Sequence, residues 1–154
     1  MSKRIKLKIV TPERIILEED VDQVTLPTVE GEITVLAGHV PLISALKAGE
    51  LVAKKGGEYI PMAVVGGFIE VKSGAASAGS SGVPTEVAVL ADFAEHVADI
   101  SEDAIGKAKA RAEELSKQME NKEHVDFEHF ASELERSLTR VKIADKWRNK
   151  KYRR

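Results

Sequence analysis

Four histidines are the side chains of this 154-residue chain best suited to move a proton near neutral pH or to hold a metal: His39, His96, His124 and His129. His124 and His129 stand five apart, which does not put them on one helical face, and no acid or cysteine set beside them completes a metal site. The chain has no cysteine, so disulfides, thiol catalysis and thiolate-bound metals are excluded together, which fits a reducing compartment. Gly79-Ser80-Ser81-Gly82 lies in a low-complexity run with no helix after it and is not a nucleophile turn. There is no run ending in Gly-Lys-Ser/Thr and no spaced dinucleotide-binding glycines; Gly66-Gly67 is too short to cradle a phosphate and reads as a bulge or a close approach of two strands. Glu18-Glu19-Asp20 reads as a solvated strand end. No active site emerges, and the expectation is a non-catalytic protein without metal or cofactor.

Two turns remain. His39 lies between Gly38 and Pro41, where glycine admits positive φ and proline fixes φ, so its turn is tightly specified. It serves either as a backbone-bonding turn residue or as a contact residue. Glu30-Gly31-Glu32 reads as a hairpin turn with wet carboxylates.

The elements that must position these turns alternate with period two. Ile5, Leu7 and Ile9 alternate with Arg4, Lys6 and Lys8, as a half-buried strand requires. Further strands are expected over 14–17, 21–26, 33–36, 42–46, 51–54, 59–65, 68–72 and 86–90, with turn signals at Thr11-Pro12, Glu30-Gly31, Gly38, Gly49 and Gly56-Gly57. Many short strands without intervening helices predict an antiparallel β-sandwich or flattened barrel. The run 73–82 is a low-complexity loop, read as an enlarged hairpin connection within 73–85, because the strand after it must still pair in the same sheet. From Ser101 the period becomes helical. Ser101 is an N-cap followed by Glu102 and Asp103, and Ile105, Ala108, Ala112, Leu115 and Met119 form one stripe. Asp126 opens a second helix with a stripe of Phe127, Phe130, Leu134, Leu138 and Val141. The expected class is therefore α+β: a sandwich domain over residues 1–95, then an antiparallel helical hairpin over 100–154.

At 43% hydrophobic but 5% aromatic residues, the core must be built from Val, Ile, Leu and Ala. Residues 1–8 hold four basic residues and no apolar stretch, unlike a secretory signal, and no run approaches the roughly 18 apolar residues that span a bilayer. The net charge of −2 hides an asymmetry: residues 1–100 carry nine Lys/Arg against fourteen Asp/Glu, while 140–154 carry eight basic residues and one acid, Asp145. That tail suits a plain helix C-terminus, an anionic membrane surface or, more weakly, nucleic acid.

Residues 31–51, with the Gly38-His39-Val40-Pro41-Leu42 turn, together with Gly66-Gly67-Phe68-Ile69-Glu70-Val71 and Val89-Leu90-Ala91-Asp92 followed by Ala94-Glu95, resemble the epsilon subunit of bacterial F-type ATP synthases. The resemblance runs from about residue 4 to about residue 143, specific in the sheet and looser in the hairpin. It implies a central-stalk subunit that couples rotation of the c-ring to the catalytic head and restrains ATP hydrolysis through the hairpin. It implies the gamma subunit and the c-ring as partners, and the alpha and beta subunits in the inhibitory state. With no transit-like segment in view, it implies a peripheral position on the cytoplasmic face of the bacterial membrane, reached only through the complex. By the same resemblance Glu30, Gly31, Glu32, Gly38, His39 and Pro41 face the ring and stalk, and Arg136, Arg140, Lys142, Lys146 and Arg148 meet the catalytic head. Some family members bind ATP through Leu/Ile-Asp-x-x-Arg-Ala; here Ser101 and Ala104 occupy the aspartate and arginine positions, so no nucleotide site is carried over. The alternative is a free-standing adaptor whose basic hairpin binds nucleic acid or acidic protein partners.

Overall fold

The computed structural model describes residues 4–73, 84–100, 102–120 and 127–151, with the backbone alone at 102, 119, 127, 128, 130 and 148–151. Among the described residues the alternating pattern forms eight strands: β1 (Ile5–Val10), β2 (Ile15–Val21), β3 (Gln23–Thr28), β4 (Gly31–Leu36), β5 (Leu42–Ala45), β6 (Gly49–Lys55), β7 (Glu58–Lys72) and β8 (Thr85–His96). They run in the order β2-β1-β8-β7-β6-β3-β4, with β5 also on β7. One pairing departs from the antiparallel expectation. β1 lies parallel to β8, Ile5 opposite Thr85 through Val10 opposite Leu90. Period-two patterning fixes which side chains point inward and is silent on strand direction.

The strands expected over 59–65 and 68–72 are one continuous strand, β7, and the strand expected over 86–90 extends to His96. Gly66 and Gly67, at φ +66° and +100°, do not end β7; they kink it. Before them Met62 and Val64 face the core; after them Ile69 and Val71 do, so the inward parity shifts by one residue. β8 shifts in step, from Val87, Val89 and Ala91 to Ala94. At this corner β7 changes partner, from β6 over 58–64 to β5 over 68–71. The sheet thereby folds over into a sandwich, as strands that bend at a bulge allow. A Cβ on Gly67 would run into the Leu90 carbonyl, and one on Gly66 into the Asp92 carboxylate. The joined arms of β7 and β8 pair directly, Lys72 opposite Glu86, as the enlarged hairpin connection requires; residues 74–83 within it lie outside the described residues.

The sandwich core holds Ile5, Leu7, Ile9, Leu26, Leu51, Met62 and Ile69 at no exposure, and its buried members all precede Glu95. His96 ends the sheet and caps a single 3-10 turn (Val97–Asp99): its Nδ1 accepts from the Ala98 N–H at 3.0 Å. Then follow α1 (Glu102–Glu120) and α2 (Phe127–Lys151). The expected caps Ser101 and Asp126 lie outside the described residues. Of the α1 stripe, Ile105, Ala108, Ala112 and Leu115 are buried as expected, and the Met119 side chain lies outside the described residues. In the α2 stripe Leu134 and Val141 are half-buried, and the Phe127 and Phe130 side chains lie outside the described residues. Leu138 departs from the expectation at 53% exposed; the buried positions among the described residues of α2 are Ser137, Thr139, Ile143 and Ala144. The reason is that α2 has two surfaces to satisfy. Val141 and Ala144 pack with Ile100, Ala104 and Ile105, while the same helix also lies on β7 and β6.

Between the helices, Arg111 donates from Nε and Nη2 to the two Glu133 oxygens at 2.7 and 3.1 Å, and from Nη1 to Glu114 at 3.1 Å. The hydrogen bonds from Arg111 hold the Glu133 carboxyl below its usual value, and those carboxylates, Glu133 first, raise the Arg111 guanidinium further.

Candidate functional site

The two candidate turns occupy opposite ends of β4. Glu30, Gly31 and Glu32 are exposed at the β3–β4 turn, where Gly31 takes φ +125° and the Thr28 hydroxyl donates to the Gly31 carbonyl at 2.5 Å. Gly38, His39 and Pro41 follow the far end of β4, about 17 Å away at ~3.4 Å per residue. The structure therefore does not bring the two groups into one site.

The His39 turn is tied down. Gly38, at φ +86°, donates its N–H to the buried Thr85 hydroxyl at 2.7 Å, and the His39 N–H reaches the Leu36 carbonyl at 3.0 Å. The His39 Nδ1 lies 2.7 Å from the Val40 carbonyl, which can only accept, so Nδ1 carries the proton. His39 bonds backbone, as one reading of its turn required. Beside it Val40 projects 69% exposed and Pro41 is exposed.

The sandwich presents two unlike outer faces. On the half built from β7, β8, β1 and β2 beyond the glycine corner, one residue from each strand forms a row: Phe68 opposite Leu90, Leu90 opposite Val10, Val10 opposite Ile15. Phe68, Leu90 and Ile15 are each more than half exposed, and Ile43 on the neighbouring β5 is 73% exposed. No described residue covers this row.

The other outer face is covered. Ala63 and Val65 point away from the sandwich core yet are buried, because α2 crosses β7 there. The basic residues of α2 meet the sheet along this crossing. Arg140 donates from Nη2 to Glu95 Oε1 at 2.9 Å, and its Nε lies 2.6 Å from Oε2, too bent for a second directed bond. Arg136 and Arg140 stand over the Phe93 ring at 5.6 and 5.8 Å from its centroid. Six residues on, Lys146 Nζ donates to Glu50 Oε2 and the Trp147 indole N–H to Glu50 Oε1. Trp147 also meets Tyr59 with ring centroids 6.2 Å apart. Of the five basic residues singled out in α2, Arg136, Arg140 and Lys146 thus face the sheet, Lys142 is exposed, and the Arg148 side chain lies outside the described residues.

Glu50, Glu95, Phe93, Tyr59 and Trp147 were not singled out by sequence. The carboxylates occupy outward positions of period-two strands and read as solvated. The available signal was the lone tryptophan of the chain, set inside a basic tail. Among the described residues no cluster of three or more His, Asp or Glu could hold a metal, and no helix is long and apolar enough to cross a membrane.

Residues 4–78 match the family described as ATP synthase, Delta/Epsilon chain, beta-sandwich domain. The chain is 40% identical over 143 residues to the ATP synthase epsilon chain of Nitratidesulfovibrio vulgaris (strain DP4), covering 93% of this chain and 97% of that one. It is 36% identical to the epsilon chain of Herpetosiphon aurantiacus (95% of this chain, 98% of that one) and 41% identical to that of Dehalococcoides mccartyi strain CBDB1 (94% and 95%). Among solved structures it resembles a chain of the Euglena gracilis mitochondrial ATP synthase OSCP/F1/c-ring assembly, with TM-score 0.65 and 26% identity over 86% of this chain and 76% of that chain. A chain of the Tetrahymena thermophila mitochondrial ATP synthase central stalk/c-ring shares the fold at TM-score 0.51 and 14% identity, over 94% of this chain and 96% of that chain.

Proposed function

The chain belongs to the ATP synthase epsilon chain family, and from that premise we propose that it is a non-catalytic central-stalk subunit of a rotary, proton-translocating ATP synthase. It couples rotation of the c-ring to the catalytic head and restrains ATP hydrolysis through its hairpin. The observation that carries this reading is kinship with epsilon chains over more than nine-tenths of the chain, through sheet and hairpin alike.

The bare apolar row of Ile15, Leu90 and Phe68, with Ile43 on the neighbouring β5, supports a permanent protein neighbour, since apolar patches on soluble domains mark contact surfaces. We assign it to the gamma subunit. Gly38, His39 and Pro41, tied to Thr85 at the start of β8, are assigned to the stalk and ring, and Glu30, Gly31 and Glu32, at the far end of β4, to the c-ring. These assignments put the subunit on the membrane periphery, at the cytoplasmic face of a bacterial cell. We further propose that residues 1–95 and 100–154 are separate folding units, because the apolar clusters of sheet and hairpin share no buried residue.

Restraint of hydrolysis then requires a second hairpin state. At 25 residues α2 measures about 37 Å, long enough to reach from the stalk into a catalytic head. Arg136, Arg140, Lys142, Lys146 and Arg148 would meet acids of the alpha and beta subunits there, after Arg140 and Lys146 have left Glu95 and Glu50. A full reversal of the two states needs about 5.5 kcal/mol of differential binding. The adaptor reading loses ground here, because Arg136, Arg140 and Lys146 are turned to the chain's own sheet. The test is removal of residues 100–154 from the subunit in a reconstituted complex. Hydrolysis rises while assembly and proton-driven synthesis persist; unchanged hydrolysis removes the restraining role.

A further inference from the structure

A helix laid across a sheet meets a strand about every 4.8 Å and completes its own turn every 5.4 Å, so few donor positions fall on few acceptor positions. Here they coincide. Glu50 on β6 is opposite Ala63 on β7, and Ala63 is opposite Glu95 on β8, so the two carboxylates stand in one row, two strand spacings or about 9.6 Å apart. Arg140 and Trp147 are seven residues apart on α2, about 10.5 Å along its axis and within about 20° of the same side. Both carboxylates are held by α2: Glu95 accepts from Arg140 at Oε1, with the guanidinium Nε 2.6 Å from Oε2, and Glu50 accepts from Lys146 and Trp147, one at each oxygen. Ala63 between them is fully buried and adds nothing beyond Cβ, which lets the helix lie close. The acceptors are poorly hydrated, with the Glu50 and Glu95 side chains 15% and 21% exposed.

We propose that Glu50 and Glu95 form a two-point cradle that sets where α2 docks on the sheet and holds the hairpin closed. They are positioning residues. Shifting the helix by one residue would break both points together, so the cradle specifies a single docked register. Because Arg140 and Lys146 cannot serve the cradle and a catalytic head at once, the two sheet carboxylates set how readily the hairpin is released; this second step rests on the function proposed above.

The test begins with the isolated full-length chain carrying Glu50→Gln and Glu95→Gln together, which keeps side-chain shape and removes both charges. Hydrogen exchange of the α2 amides is expected to accelerate about five- to thirty-fold, while the core amides of β1 stay protected. Unchanged α2 exchange over an intact sheet overturns the cradle. A charge-swapped chain, Glu95→Arg with Arg140→Glu, is expected to regain protection that either single reversal loses. Failure of the swap to recover it also overturns the cradle, and this arm decides alone if the Gln pair loosens the sheet. The second arm places the Gln pair in the assembled complex, where every α2 cation is intact. Hydrolysis is expected to fall further; fast exchange with unchanged hydrolysis upholds the cradle and removes the restraining role instead.

Discussion

The two outer faces of the sandwich share strands β7 and β8 and differ in almost everything else. On the near side of Gly66-Gly67 the outward residues are Glu50, Ala63, Val65, Phe93 and Glu95, and the chain's own α2 lies over them. On the far side they are Phe68, Leu90, Val10, Ile15 and Ile43, and no described residue lies over the row. The covered face joins through carboxylates and cations around one small residue. Such contacts are directional and weakened by salt, and they can be exchanged for other acids. The bare face offers large apolar side chains, whose burial is non-directional and is lost only by exposing them to water again. One face is suited to a partner that leaves and the other to a partner that stays.

The corner that separates the faces gives the largest expected effect. Gly67→Ala places a Cβ against the Leu90 carbonyl at a positive φ, and it should destabilise the chain by more than about 3 kcal/mol in urea unfolding. Gly57→Ala, at φ +87° but with open space around it, should cost only about 1 kcal/mol. Equal losses would mean that backbone strain, not the strand contact, holds the corner.

Next in size is the bare face. Phe68→Thr with Leu90→Thr should leave the isolated chain within about 0.5 kcal/mol of its original stability, since both sites are exposed and threonine suits a strand. The same pair should weaken binding to the gamma subunit by more than about tenfold in a titration, as loss of central apolar anchors does. Normal affinity would move the gamma contact elsewhere.

Salt should separate the faces more gently. Raising it from about 0.1 M to about 1 M shortens the screening length from about 10 Å to about 3 Å. Exchange of the α2 amides should quicken several-fold, while affinity through the apolar row should hold or tighten. A reversed order of sensitivities would invert the assignment of the two faces.

The smallest effect is acid sensitivity within the hairpin. Because Arg111 lowers the Glu133 pKa, this pair stabilises the fold above the ordinary glutamate value of about 4.3 and loses that contribution as pH falls through the lowered one. Both side chains are a third or more exposed, so the change in helix melting should be slight. Glu133→Gln should remove it, and an unaltered acid limb in that variant would exclude the pair as its cause.

Much of this was legible beforehand. Ile5, Leu7 and Ile9 fall in the core because a strand turns alternate side chains to one side, and Ile105, Ala108, Ala112 and Leu115 because three- and four-residue steps share a helix face. Leu138 departs from the α2 stripe because periodicity identifies a face only when the helix has a single neighbour. Packed on both α1 and β7, α2 buries Ser137 and Thr139 and leaves Leu138 in water. The turns at Gly31 and Gly38 were legible from their glycines, but their separation to opposite ends of β4 needed only strand length to be noticed.

By itself, then, the sequence determined the order of elements, the inward side of most strands and α1, and the glycine corner as a site of irregularity. All of these follow from local geometry: a residue's neighbours within four positions decide them. Which strands become neighbours, the parallel pairing of β1 with β8, and the meeting of Glu50 and Glu95 with Arg140, Lys146 and Trp147 were decided only in three dimensions. Those contacts join residues 45 and more positions apart, and a carboxylate on an outward strand position has the same local pattern whether water or a helix covers it.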